Sequence, residues 1–286
     1  MKHSGSFKPN LDRLLRHLKK IARERSFETN PLGLAEVQSY IEQEFRSYGY
    51  EVQKIPFEFY GQTFFNLAAR ARTNSIKSRL IIGAHFDAVS GSPGADDNAS
   101  GVACLLEAAR IFAESGSVGN VEFVAFNLEE CGMIGSRAYA RTLKERGERV
   151  WGMLSLEMVG FVSEKKGSQK MPIFLRPFYP DTGNFIGLVA NTRSKKLLEE
   201  VRKIFKSVND LAVESLTLPA NGWVFPDARL SDHSPFWDEG FPALLVTDTS
   251  FFRNPYYHTA KDRIETLDLQ FLVRVTEGTA RAALSD

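Results

Sequence analysis

The chain has 286 residues, 43% of them hydrophobic and 25% charged, with 36 Lys and Arg against 35 Asp and Glu for a net charge of +1. That length is enough to bury a substantial core, and the charge balance gives no global electrostatic reason to bind nucleic acid or an acidic membrane. Two cysteines, Cys104 and Cys131, are too few for a disulfide framework or a four-cysteine zinc site; free thiols are expected, with a disulfide between them left open.

Residues 8–25 and 33–48 read as helices. In the second, Leu34, Val37, Ile41, Phe45 and Tyr48 recur on one face, Asn30-Pro31 supplies a start and Gly49 a stop. Residues 51–60 and 63–72 carry β-rich, partly alternating patterns around Tyr60-Gly61, which predicts a hairpin. Beyond Lys77 the texture changes. Apolar runs at 80–84, 121–126, 151–156 and 243–246 read as buried strands, and 99–114, 133–147 and 193–208 read as helices. Strands covered on both faces lose their alternation, so the pattern predicts an α/β fold with a parallel core to its sheet. The stretches 160–190 and 217–237 read as long loops or short strands bordering a site. No repeat, low-complexity tract or long linker interrupts the chain, which makes 1–286 one domain. The start, Met1-Lys-His-Ser-Gly-Ser, lacks the apolar stretch of a secretory signal, and no run approaches the roughly 18 apolar residues of a membrane span. The sequence as written therefore points to a soluble, cytoplasmic protein, an expectation that an upstream segment would overturn.

The ionisable residues fall where these strands end. His85 and Asp87 follow the 80–84 strand, Glu129 and Glu130 the 121–126 strand, and Glu157 the 151–156 strand, while His258 lies beyond 243–246. Ligands of open α/β sheets bind outside the carboxyl ends of the strands, so separate strands deliver imidazole or carboxylate to one rim. So many acids repel one another unless a cation sits among them, and histidine with carboxylate and no cysteine suits zinc in a hydrolytic site. Asp97, in the loop Gly94-Ala-Asp-Asp-Asn-Ala-Ser-Gly101, can present both carboxylate oxygens, as a ligand spanning two metals roughly 3.5–4 Å apart does. Singly each signal is weak, since Asp-Asp-Asn before a helix is most often only a cap. Jointly they are hard to assign to coincidence.

In order, His85-x-Asp87, Gly94 to Gly101, Glu129-Glu130, Glu157-Met158, Ser231-Asp232-His233-x-Pro235-Phe236 and Tyr257-His258-Thr259 resemble the co-catalytic zinc aminopeptidase family, over roughly residues 30–280. That family also holds glutamate carboxypeptidases and the animal-type glutaminyl cyclases. The resemblance implies a three-layer sandwich, a mixed and centrally parallel sheet flanked by helices, of the zinc-exopeptidase, phosphorylase/hydrolase-like kind. It implies two zinc ions, with one possible, bridged by Asp97 and completed by His85 and Glu157 on one side and Glu130 and His258 on the other, and a cis Asp97–Asn98 peptide. It also makes Asp87 the residue that orients His85, and Glu129 the general base.

The function so implied is an exopeptidase, foremost an aminopeptidase, acting on peptides. A single-zinc glutaminyl cyclase is the alternative, and a non-catalytic binding module on the same fold is a remoter one. The sequence departs from the family where Glu157 replaces a common Asp. It departs from the cyclase branch, which usually reads Thr-Asp-Ser-Ala at 96–99, an acid at 231 and Trp at 257. Phe236, Trp237, Phe251, Phe252, Tyr256 and Tyr257 are candidates to wall a substrate pocket, Asp232 and His233 to lie near it, and Arg253 to meet a substrate carboxylate.

Overall fold

The computed structural model describes residues 8–70 and 78–285, so the last two positions of the expected 63–72 strand lie outside the described residues. The elements in chain order are α1 (Leu11–Ile21), α2 (Pro31–Ser47), β1 (Glu51–Phe59), β2 (Gln62–Arg70), β3 (Arg79–His85), α3 (Gly101–Ser115), β4 (Val121–Phe126), α4 (Ile134–Glu145) and β5 (Val150–Glu157). There follow β6 (Phe185–Asn191), α5 (Lys195–Lys206), β7 (Ala212–Leu218), α6 (His233–Asp238), β8 (Ala243–Thr247) and α7 (Leu269–Leu284). The strands form one sheet in the order β1-β2-β4-β3-β5-β8-β6-β7.

The centre of the sheet is parallel, from β4 through β3 and β5 to β8, and antiparallel pairs join β1 to β2, β2 to β4 and β6 to β8. Every residue of β3, β4 and β8 is buried, which is why these strands read as unbroken apolar runs. Helices cover both faces. Leu14 and Leu18 of α1, Ile41 and Phe45 of α2, Leu105 and Phe112 of α3, Val201 of α5 and Val275 of α7 share one core with Ile82, Leu154, Leu156 and Val246 of the sheet. Tyr139 and Leu143 of α4 and Phe236 and Trp237 of α6 pack against Ile81, Val124, Met153 and Ala243 on the other face. Truncating a side chain such as Leu154 to Ala would cost about 2–5 kcal/mol.

Helix starts follow the expected chemistry. Asn30 accepts the Gly33 N–H ahead of α2 with Pro31 in its first turn, and Asp268 accepts the Phe271 N–H ahead of α7. Three elements go beyond the sequence reading: β7, α7, and α6, a short helix at the end of the 217–237 stretch read as loop or short strand; β6 is a short strand at the end of the 160–190 stretch, as that reading allowed. Among the described residues, no helix is long and apolar enough to cross a membrane.

Candidate metal centre

Because β3, β4, β5 and β8 run parallel, their carboxyl ends share one edge, and His85, Glu129, Glu130 and Glu157 gather there. The loop that brings Asp97 among them is fixed from three directions. Asp96 Oδ1 accepts the Gly160 N–H (3.0 Å), Asn98 Oδ1 accepts the Met158 N–H (3.1 Å), and Ser100 Oγ accepts the Val159 N–H (3.0 Å), stitching the loop to the end of β5. Asp262 accepts the N–H groups of Asp96 and Asp97 at 2.9 and 3.1 Å. Buried Arg25 donates to the carbonyls of Phe86 (2.7 Å), Pro93 (2.6 Å) and Gly94 (2.9 Å). Gly94 has φ +56, and a Cβ there would stand 2.2 Å from the Asp97 carbonyl oxygen, so no other residue fits. The Asp97–Asn98 peptide is cis.

Within this frame each oxygen of Asp97 faces a different histidine. Oδ1 lies 3.3 Å from His85 Nε2 and Oδ2 lies 3.1 Å from His258 Nε2. His85 Nε2 is also 3.3 Å from Glu157 Oε2, and His258 Nε2 is 3.2 Å from Glu130 Oε2. The side chains thus fall into two sets that share Asp97. Among the described residues, His85, Asp97 and Glu130 form a metal-sized group that draws on both sets, with ligand atoms all within 4.8 Å of one another. Glu129 Oε2 stands further out, 3.9 Å from His85 Nε2. Asp87 lies 3.4 Å from His85 Nδ1, an approach rather than a hydrogen bond, and accepts the N–H groups of Glu129 and Glu130, each at 3.1 Å, so it orders the glutamate turn beside the histidine. Glu157 Oε2 accepts a hydrogen bond from Ser231 Oγ at 2.9 Å.

Leu128, Met158 and His258 have φ of 56, 48 and 57, a left-handed backbone that costs a non-glycine residue about 1–2 kcal/mol. Met158 follows Glu157, Leu128 precedes Glu129, and His258 faces Asp97 itself, so all three lie at the cluster, where the surrounding structure can hold such a backbone.

The charges call for a cation. Burial alone would depress His85, yet the charges of Glu157 and Glu129 raise it well above the usual histidine range. Burial likewise opposes a charged His258, but hydrogen bonds to Asp97 and Glu130 lift it to about 10. Burial and then the Asp97 charge push Glu130 up to about 7, and burial raises Glu129 well above its ordinary value. Buried His85 Nε2 and Glu130 Oε1 make no hydrogen bond within the chain. Such orphaned donor atoms, on imidazole and carboxylate with no thiolate, fit a zinc-type ion.

A cavity of about 310 Å³ opens beside the cluster, lined by Glu129, Glu157, Leu216, Leu245, Phe252 and Tyr257 among others. Phe251, Phe252 and Tyr257 meet the expectation of a pocket wall. Phe236 and Trp237 do not: they are core residues, with Trp237 Nε1 donating to the Ala243 carbonyl. Tyr256 packs on Phe161 instead of lining the cavity. Arg253 is 5% exposed, donates to Gln169 Oε1 and to the carbonyls of Phe161 and Phe185, and is not among the residues lining the cavity, so the structure gives it a loop-bracing role. His233 is buried, its Nε2 2.8 Å from the Ala228 carbonyl, and Asp232 lies buried beside it. Cys104 and Cys131 are both free, the second only half-buried. The sequence gives no sign of Arg25, because its partners are carbonyl oxygens, which every residue has.

The sequence pattern of peptidase family M28 matches residues 66–283. The chain belongs to that family. It is 33% identical to the uncharacterized protein YfbL of Escherichia coli, over 94% of this chain and 85% of that one. It is 29% identical to a probable leucine aminopeptidase of Arthroderma otae, over 79% of this chain but only 57% of that protein's length. The LapA aminopeptidase of Legionella pneumophila matches with a TM-score of 0.74 at 21% identity, over 97% of this chain and 71% of its own. The glutaminyl cyclase of Porphyromonas gingivalis matches with 0.73 at 19%, over 96% and 97%. At such identities these two likenesses speak for the fold, which is zinc-exopeptidase-like as the M28 resemblance implies.

Proposed function

We propose that this M28 protein is a zinc-dependent aminopeptidase that removes N-terminal residues from peptides. The observation that carries the reading is the Asp97 carboxylate, buried and facing one histidine with each oxygen. A carboxylate so held is suited to bridge two metal ions. His85 and Glu157 would complete one site, and Glu130 and His258 the other. The relative named a leucine aminopeptidase and a solved zinc aminopeptidase of Bacillus subtilis, 27% identical over 78% of this chain, point the same way.

Bound zinc supplies Lewis acidity, which acidifies water and polarises a carbonyl. The chain's own residues supply the rest. Glu129 is a carboxylate of the cluster left outside the two ligand sets and lines the cavity, the position a general base would take. It takes one proton from the attacking water as the oxygen bonds to the scissile carbonyl carbon, and returns it to the amine as the C–N bond breaks. Asp87 holds Glu129 and Glu130 by their N–H groups and, from beside His85 Nδ1, would keep Nε2 turned inward. Apolar walls exclude water from the reacting carbonyl.

The test pairs metal analysis with turnover. Zinc-loaded protein is expected to carry close to two ions per chain and to release the first residue from unblocked peptides but not from N-acetylated ones. Equal cleavage of blocked peptides overturns the aminopeptidase reading. Ammonia release from a glutamine-headed peptide without cleavage replaces it with cyclisation.

A further inference from the structure

The cavity carries an acid at its far side that the chemistry above does not use, and the sheet explains its position. Glu157 on β5 registers with Thr247 on β8, Thr247 with Gly187 on β6, and Gly187 with Glu214 on β7. Residues in one such row project from the same face. The residue before each of them (Leu156, Val246, Ile186 and Val213) lies in the core shared with α1, α2, α3, α5 and α7, so the row itself projects from the opposite face, toward the cavity. All four members line it.

Three strand spacings of about 4.8 Å place the Glu214 backbone about 14 Å from that of Glu157. Between them Gly187 lines the cavity without a side chain, which leaves a trough along the row. Val189, Leu216, Leu245 and Phe252 give the trough apolar walls. Among the described residues no hydrogen bond or ion pair engages the half-buried Glu214 carboxylate. Lys170 and Asp227 also border the cavity, both from its exposed rim.

We propose that Glu214 makes the enzyme select peptides whose N-terminal residue is lysine or arginine, an inference that rests on the aminopeptidase reading. An α-amino group held near the metal ligands is too far away to meet Glu214. A long side chain is not: its methylenes lie along the apolar trough and its cation reaches the unpaired carboxylate, a charge-assisted contact in a partly dry site. Leucine or methionine fills the same trough but leaves that carboxylate desolvated without a partner, and a glutamate side chain meets repulsion.

The experiment uses zinc-loaded full-length protein and aminoacyl-coumarin amides of Lys, Arg, Leu, Met and Glu, with calorimetric binding of lysinamide and leucinamide beside it. The expected result is a kcat/KM for Lys and Arg about tenfold or more above that for Leu, with Glu poorest. In E214Q the Lys-to-Leu ratio falls about tenfold, through KM, and in E214K the preference between Lys and Glu inverts. A Lys-to-Leu ratio untouched by E214Q, or a parent enzyme that prefers Leu, overturns the inference while leaving the aminopeptidase intact. If no amide is hydrolysed the aminopeptidase reading fails, and calorimetry still decides the role of Glu214. Tighter lysinamide binding lost in E214Q supports it, and equal affinities for the two amides overturn it.

Discussion

Two segments border the same cavity and are built in opposite ways. Ala95 to Ser100 are all buried, and Asp96, Asn98 and Ser100 each reach across to the end of β5 while Arg25 and Asp262 hold the backbone from behind. On the other side, 171–178 exposes Ile173 (79%), Phe174 (58%) and Phe178 (77%), and its hydrogen bonds, such as Leu175 N–H to the Pro172 carbonyl, close on themselves. Its link to the neighbouring 219–230 loop is an edge-on contact of Phe174 with Phe225 at 5.9 Å. The first segment is tied to its surroundings by side chains and backbone on three sides; the second offers an apolar surface whose hydrogen bonds stay within it. Reaction geometry tolerates little error, whereas substrate recognition gains from a wall that can give.

The comparison can be broken most severely at Asp97. Asp97→Asn removes the charge shared by both ligand sets, and metal content and turnover should fall together, turnover by about 10³-fold or more; an active, metal-replete variant would show that the loop's rigidity serves something else. Glu129→Gln should separate the two, keeping the metal and lowering kcat by about 10²–10⁴-fold. Arg25→Met tests the bracing itself. Each buried carbonyl it orphans costs about 1–3 kcal/mol, so Tm should drop by about 10 °C, with zinc lost more readily to a chelator.

A pH series on chelated protein sharpens the same point. Burial raises the folded-state pKa of Glu130 to about 7 and of Asp232 to about 7, above their unfolded values. Across that window the folded chain binds more protons than the unfolded one, so metal-free stability falls as pH rises from the ordinary carboxylate range through about 7. Added zinc should reverse the slope, since it displaces the Glu130 proton and binds better at higher pH. The smallest effect belongs to the soft wall: Phe174→Ala should leave stability within about 0.5 kcal/mol and show itself as a few-fold rise in KM for longer peptides.

The legibility of the sequence follows the same division. Runs such as Leu80-Ile-Ile-Gly-Ala84 announce a central strand because both faces are buried, and the ionisable residues at the ends of such strands come with them. His85, Glu130 and Glu157 were readable for that reason. β7 was not, because the consecutive polar pair Glu214-Ser215 breaks the alternation that marks a half-buried strand in Ala-Val-Glu-Ser-Leu-Thr-Leu. β6 stands at the end of a Gly- and Pro-bearing stretch that reads as loop or short strand. The α7 helix carries Phe271, Leu272 and Val275 on one face behind the Asp268 cap, a signal strong enough to find it. Aromatic residues misled where fold decided between core and cavity: Trp237 and Phe252 look alike in a sequence, and only one faces the substrate side. Side chains that act on backbone, as Arg253 does, leave no motif.

Arg25 bears on how the chain can be cut. The family pattern begins at residue 66, yet the guanidinium that ties down the Phe86 and Gly94 carbonyls comes from just past α1. A protein trimmed to 66–283 would keep every ligand candidate and lose the brace behind Asp97. In expression work the boundary to respect therefore lies upstream of Arg25, and α1 serves the site as an anchor although it contributes no ligand to it.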